Sequence, residues 1–455
     1  MHQTTSTVRP SLNKVAVPIV GEFILGMSVA LAGLYLASHS SDAAAGSFGL
    51  VQQVLETLFV VFRVLAIGLG VVVTQRLGSG DVEQANRIAR MALGASSWAG
   101  AAVALWLLLG GRLTLDILNA PEELWPMATL YMLLLAPSMT LEACNLSMAA
   151  VLRAHLHARE SLLIMVAMHG SHLLLAVPLM RGWGDWDGLG LNGFALAWFL
   201  SRCLGLALHL WLWRSRMQIR PRASDWWRVE PALLWPVLRI GLPGAASEMV
   251  YRIGFMVSLS AVARLGVAAL ATHSYVLQTL KYVLIISMAI GWACEIMVGR
   301  LVGSGSLRAA DAIVRKGVRN GMLASGSIAL LAALSAPWLM RIFTRDPAII
   351  EAARTLLWIS VLLELCRVLN LVVPGALRAS GDIHFPLLSG IPSQLLVLGL
   401  GSYWLGRHFG LAGIWIAYVA DEGVRGALMW WRWRGHGWVA HARSTLRVLR
   451  REQRP

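Results

Sequence analysis

Twelve long apolar blocks separated by short polar segments set the pattern of this 455-residue chain. The first six run from Val15 to Ala37, Ser47 to Val73, Ala92 to Leu109, Leu124 to Leu152, Ser161 to Leu179 and Gly190 to Leu212. The second six run from Pro236 to Val262, Val267 to Val298, Gly321 to Leu339, Thr355 to Leu377, Phe385 to Leu405 and Leu411 to Trp431. Each is close to or above the roughly 20 residues a helix needs to cross hydrocarbon. Lipid offers the backbone no hydrogen bonds, so such blocks must be helices. Composition agrees: 57% of residues are hydrophobic and 14% charged, against about a quarter charged in a soluble domain. The expected fold is all-α and integral to the membrane.

The blocks fall into two sets. Between them lies the polar, basic stretch RSRMQIRPRASDWWRVE, from Arg214 to Glu230. Residues 1–215 are read as a first six-helix bundle, 216–233 as a cytoplasmic linker, 234–434 as a second bundle and 435–455 as a basic tail. An offset of 225 residues lays Pro18 on Pro243, Gln53 on Gln278, Gly78-Ser79-Gly80 on Gly303-Ser304-Gly305, and Leu152-Arg153-Ala154 on Leu377-Arg378-Ala379. After a slip of five residues, Gly190-Leu191 and Gly193 meet Gly410-Leu411 and Gly413. This is an internal repeat. Six crossings separate equivalent points, so the halves enter the membrane from the same side and form parallel repeats. Transport proteins of this kind hold substrate between the halves. The predicted architecture is two pseudo-symmetric six-helix bundles around a central cleft.

Net charge is +15, but a nucleic-acid partner does not fit, because the basic residues sit in short loops. With the N-terminus inside, the cytoplasmic segments hold Arg9 and Lys14, the run Arg214 to Arg239 including Arg228, and a tail ending in Arg450, Arg451 and Arg454. The opposite side holds Arg112, Arg181, Arg264, Arg341, Arg345 and Arg407. That bias is the positive-inside pattern, with both termini cytoplasmic. Trp226, Trp227, Trp235, Trp430, Trp431 and Trp433 suit interfacial belts. The four cysteines lie far apart within apolar blocks and give neither a disulfide framework nor a metal spacing. No GxxxxGK[ST] occurs, and the chain has three lysines, so this polypeptide is not expected to hydrolyse ATP.

The order of these motifs resembles a known family. A proline opens the first span (VAVPIVGE) and a Gly-rich, Ala- and Arg-rich turn follows the second (VTQRLGSGDVEQANRIAR). The second half repeats both as RIGLPGAASE and VGRLVGSGSLRAADAIVRKG, and adds LRASGD where the first half has LRAHLHARE. The arrangement is similar to the MATE (multidrug and toxic compound extrusion) exporters of the MOP flippase superfamily. The resemblance implies twelve helices in two bundles and export driven by a proton or sodium gradient, with no cofactor beyond that coupling ion. Many family members carry an acid in the outer part of the first helix, where this chain has Ser28, Ala30, Ala32 and Gly33.

A charge inside the bilayer costs roughly 2.5–3.5 kcal/mol on insertion scales, so each is expected to face protein or water. Glu22, Glu248 and Glu56 are the ion-coupling candidates. Glu22 has no partner one turn away; it either titrates or lies idle at headgroup level. Gln52, Gln53, Glu56 and Arg63 form a polar stripe that fits a cleft-facing helix. Glu248 and Arg252, four apart and beside Tyr251, form either a structural pair or a proton-gated one. His273, Gln278, Lys281 and Glu295 follow on the eighth span, and Glu364 with Arg367 on the tenth. Asp421 or Glu422 with Arg425 repeats the self-pairing on the twelfth. The substrate-cleft candidates are thus Gln52, Gln53, Arg63, Tyr251, Arg252, His273, Gln278, Lys281, Glu364 and Arg367. His169 and His172, without further ligands, read as packing or cavity residues.

The expectation is a monomeric secondary exporter, not an enzyme, in a bacterial inner membrane. It would move small organic, cationic or amphipathic molecules outward by ion antiport with alternating access. A flippase for a lipid-linked or anionic substrate is the alternative, since Arg63, Arg202, Arg252, Lys281 and Arg367 would suit a cationic cavity. A membrane transferase would need clustered His, Asp or Glu in a long loop, and the longest loops carry Arg and Trp.

Overall fold

A computed structural model describes residues 11–227 and 230–453. Arg9, Arg228 and Arg454, counted above among the cytoplasmic charges, lie outside the described residues. The chain is an all-helical membrane protein. Its first half runs through α1 (Leu12–Ser38), α2 (Asp42–Gly78), α3 (Val82–Ile117), α4 (Trp125–Ala154), α5 (Ala158–Arg181) and α6 (Leu191–Arg216), then the short α7 (Ser224–Trp227). Its second half runs through α8 (Pro231–Ala263), α9 (Val267–Gly303), α10 (Leu307–Leu334), the short α11 (Ala336–Met340), α12 (Pro347–Ser380) and α13 (His384–Pro392). A π-helical stretch (Ser393–Leu400), α14 (Gly401–Arg434) and α15 (Gly437–Glu452) complete it.

Ten of the described helical runs are long and apolar enough to span a membrane. One of the ten is the 51-residue run His384–Arg434, which breaks at Gly410 (φ 60°, ψ −144°) into two crossings. The other crossing expected from sequence, α8, carries Arg239, Glu248 and Arg252. About twelve crossings result.

The repeated motifs have a conformational cause. Gly80 (φ 84°) and Gly305 (φ 78°) both occupy the left-handed region that favours glycine. Around them the same bonds recur: Ser79 N–H to Gln75 and Asp81 N–H to Arg76, then Ser304 N–H to Arg300 and Ser306 N–H to Leu301. The Leu-Arg-Ala turn is also shared. His157 N–H donates to Leu152 and Asp382 N–H to Leu377, both at 2.9 Å. The left-handed residue is Gly381 in the second copy and Leu156 (φ 67°) in the first.

By contact the chain forms two units. The N-unit is Glu22–Met249 with Glu452–Pro455, and the C-unit is Met1–Gly21 with Val250–Arg451. The N-unit core gathers Phe48, Phe62, Tyr131, Met139 and Phe194. Within it the linker docks on α3: Trp226 donates to Ser97 at 2.9 Å, and Trp98 donates to the Trp226 carbonyl at 2.8 Å. The C-unit core gathers Leu280, Leu356, Leu363, Trp415 and Tyr418. Its α15 stacks Trp438 on Trp433 with centroids 4.3 Å apart.

Candidate functional site

The C-unit concentrates buried charge where α8, α9, α12, the π-helical stretch and α14 meet. On α12, Glu364 and Arg367 pair one turn apart. On α14, Arg425 holds Asp421 at 2.7 Å and Glu422 at 3.1 Å. The two helices are joined because Arg367 reaches Glu422 at 3.6 Å. Asn370 also donates to both the carboxylate and the backbone carbonyl of Glu422 at 2.7 Å. Ser393 donates to Asp421 at 2.7 Å.

The network therefore holds three carboxylates against two guanidiniums. Glu364 is wholly buried, and its Oε2 has no hydrogen-bond partner among the described residues. A charge removed from water is costly unless paired and hydrogen-bonded. The two arginines thus leave one carboxylate of the network without an ion-pair partner of its own.

Beside the network lies a cavity of about 180 Å³, lined by Tyr251, Phe255, Lys281, Arg367, Tyr418 and Glu422 among others. Aromatic rings wall one side. Phe255 and Tyr418 lie nearly parallel with centroids 6.2 Å apart, and His273 sits among them, 6.1 Å from Tyr418 and 5.8 Å from Trp415. Gln278 is half-buried one turn from Lys281 on α9. The structure thus gathers Tyr251, His273, Lys281, Glu364 and Arg367 of the sequence candidates into one locality.

Gln52, Gln53, Glu56, Arg63, Glu22 and Glu248 belong to the N-unit instead. Glu22 is buried and bound by Arg153 of α4 at 2.8 Å. Sequence gave it no neighbour because that arginine lies 131 residues away. Glu248 is bound by Arg63 of α2 at 2.8 Å, a cross-helix partner in place of the local one expected on α8. The close fit of the two helices explains this contact: a Cβ on Gly68 would lie 1.9 Å from the Val237 carbonyl, and one on Gly241 would lie 1.8 Å from that of Val64. Gln52 and Glu56 are half-buried and Gln53 exposed on α2, and Arg252 is half-buried on α8. Glu295 is paired with Arg378 at 3.0 Å.

Sequence reasoning missed the N-unit pair of Glu142 on α4 and Arg202 on α6, 2.5 Å apart. Arg202 also lies over the Trp198 ring at 3.9 Å. Asn145 donates to the Arg202 carbonyl at 3.1 Å and meets His209 at 3.0 Å. His169 and His172 are buried nearby on α5. The signal was available in the repeat: carried forward by 225 and 220 residues, Glu142 and Arg202 fall on Arg367 and Glu422.

Long spanning helices, an internal repeat and a buried ionic network define a polytopic membrane transporter. The MatE family model matches residues 18–177 and 243–402, two stretches related by the offset that carries Pro18 onto Pro243. The chain belongs to the MATE family of transporters. It is a transporter and not an enzyme. It is 27% identical over 434 residues to the uncharacterized transporter YisQ of Bacillus subtilis, covering 94% of this chain and 95% of that one. It is 24% identical over 428 residues to a probable multidrug resistance protein NorM of Thermotoga maritima, covering 92% and 91%. The fold is that of the Vibrio cholerae MATE transporter VcmN in its bent form: TM-score 0.86, 18% identity, 96% of this chain and 97% of that one. These bacterial relatives and the spanning helices make it a multi-pass membrane protein.

Proposed function

We propose that the protein is a secondary active exporter that moves small amphipathic organic molecules out of the cytoplasm by proton or sodium antiport with alternating access. One observation carries this reading: the C-unit network of Glu364, Asp421 and Glu422 has only Arg367 and Arg425 as ion-pair partners among the described residues. In a site of low dielectric the surplus carboxylate attracts a proton or a sodium ion far more strongly than it would in water. Loading and unloading that cation changes which acid Arg367 and Arg425 hold, and so biases the packing of α12 against α14. A gradient can do work on such a two-state element, because the ion binds the two arrangements unequally.

The ion-coupling role expected for Glu22 and Glu248 passes to Glu364 in this reading, because each of the first two is neutralised one-for-one by an arginine. Glu56 occupies the position that Lys281 holds in the second repeat and is kept as a cleft residue. Export of xenobiotics is supported by the relatives named as multidrug resistance proteins.

The test is efflux in everted membrane vesicles carrying the full chain, with an imposed proton or sodium gradient and both a fluorescent aromatic cation and the fluorescent amino acid naphthylalanine as reporters. Gradient-dependent movement is expected with one of the two ions. No movement with either ion removes the exporter reading.

A further inference from the structure

Lys281 is the charged group of the C-unit cavity that the arginine network leaves unused. It sits about 21 Å along α9 from Val267, at 1.5 Å per residue, in the middle of a spanning helix. Its side chain lines the cavity, and it makes no hydrogen bond or ion pair with any described residue. Asp421 and Glu422 line the same cavity, but their oxygens are engaged by Arg425, Arg367, Asn370 and Ser393. The rings of Tyr251, Phe255 and Tyr418 line the same cavity. One small cavity therefore offers an ammonium, a carboxylate edge and an aromatic wall.

We infer that this cavity selects zwitterions, molecules bearing both an ammonium and a carboxylate on an apolar body, and that Lys281 is the group that receives the carboxylate. The exchange half of this inference rests on the exporter reading; the preference of Lys281 for a carboxylate does not. An organic monocation would leave the Lys281 ammonium unneutralised and add like-charge repulsion in a site where Coulomb terms exceed those in water. A simple anion would satisfy Lys281 but would not displace the coupling cation, so no exchange would follow. A zwitterion does both. Its ammonium sits against the Asp421 and Glu422 edge of the cavity, beside the network that holds the coupling ion, so each occupancy disfavours the other. Its carboxylate forms a charge-assisted bond to Lys281, about twice as strong as a neutral one.

The cavity is smaller than the roughly 300–1,000 Å³ usual for a drug-sized ligand. It suits a compact molecule or the charged end of a larger one.

A matched series tests this on the detergent-purified full-length protein by equilibrium dialysis: naphthylalanine, its uncharged-carboxyl amide, and its N-acetyl derivative. Naphthylalanine is expected to bind about tenfold or more tightly than either relative. Lys281→Gln should bring naphthylalanine and its amide to equal affinity, and Lys281→Arg should restore the gap. Lys281 is exposed to the cavity, so neither change removes core packing. The inference is overturned if the amide equals naphthylalanine in the unaltered protein, if the gap survives Lys281→Gln, or if no member of the series binds. Gradient-driven efflux of naphthylalanine and its amide, run alongside, separates the two claims. Its persistence when the affinity gap fails sinks the zwitterion inference and spares the exporter reading. Its absence when the gap holds does the reverse.

Discussion

In the N-unit, Glu142 on α4 is held by Arg202 on α6; at the corresponding positions of the C-unit stand Arg367 on α12 and Glu422 on α14. The charges are reversed and the frame is kept. Asn145 donates to the carbonyl of Arg202, and its counterpart Asn370 donates to the carbonyl of Glu422. The same reversal sets Glu56 against Lys281, with Gln53 and Gln278 unchanged beside them. An ion pair is indifferent to which helix supplies which sign, so two copies can diverge this way without losing the contact. Their surroundings then differ. The N-unit pair is one acid to one base, topped by the Trp198 ring. The C-unit pair is embedded among Glu364, Asp421 and Arg425, where acids outnumber bases. A balanced pair holds helices together; an unbalanced one, in the proposed reading, also binds the coupling ion.

The comparison is sharpest where the charges are exchanged. Glu142→Arg alone places two cations together, and Arg202→Glu alone places two acids together. Each should cost about 3–5 kcal/mol, the penalty for an uncompensated buried charge. The double variant reproduces the C-unit order and should recover most of that loss, a coupling that a thermal-unfolding cycle measures. If the double variant is as unstable as the sum of the singles, the frame is not equivalent in the two copies. Next in size, Asn145→Ala and Asn370→Ala should each cost about 1–3 kcal/mol, because each exposes a buried carbonyl partner. Asn370→Ala should also weaken transport, since it frees the Glu422 carboxylate, whereas Asn145→Ala should leave transport near its original rate. Equal transport defects in both would blur the distinction between the units. The smallest effect belongs to the Leu-Arg-Ala turn. Leu156→Gly gives the first copy the residue that the second already has at this left-handed position. Relief of about 1–2 kcal/mol of strain, offset by the flexibility of glycine, predicts a gain of up to about 1 kcal/mol. A loss on denaturant titration would contradict it.

Much of the fold was legible because lipid leaves so few choices. Most apolar blocks lie within one helix; Leu124 and Gly190 precede theirs by one residue, Phe385–Leu405 runs from α13 through the π-helical stretch into α14, and Gly321–Leu339 crosses the break at Ser335 before α11. The polar first turns were not legible: α3 begins at Val82, ten residues before its apolar block, because Asp81 caps a helix end that hydropathy cannot see. Local pairs such as Glu364 with Arg367 and Asp421 with Arg425 were readable from three- and four-residue spacing. Arg153 with Glu22 and Arg63 with Glu248 were not, since tertiary packing alone brings them together. The Glu142–Arg202 pair was hidden for a different reason: matching repeats by identity passes over positions that are equivalent but opposite in charge.

The central claim is that the surplus carboxylate of the C-unit carries the coupling ion, and Glu364→Gln in proteoliposomes tests it most directly. The variant leaves Asp421 and Glu422 balanced by Arg367 and Arg425, so the protein should keep its thermal stability. An imposed proton or sodium gradient should drive concentrative transport in the unaltered protein and only downhill equilibration in the variant. Concentrative transport undiminished in Glu364→Gln would contradict the account.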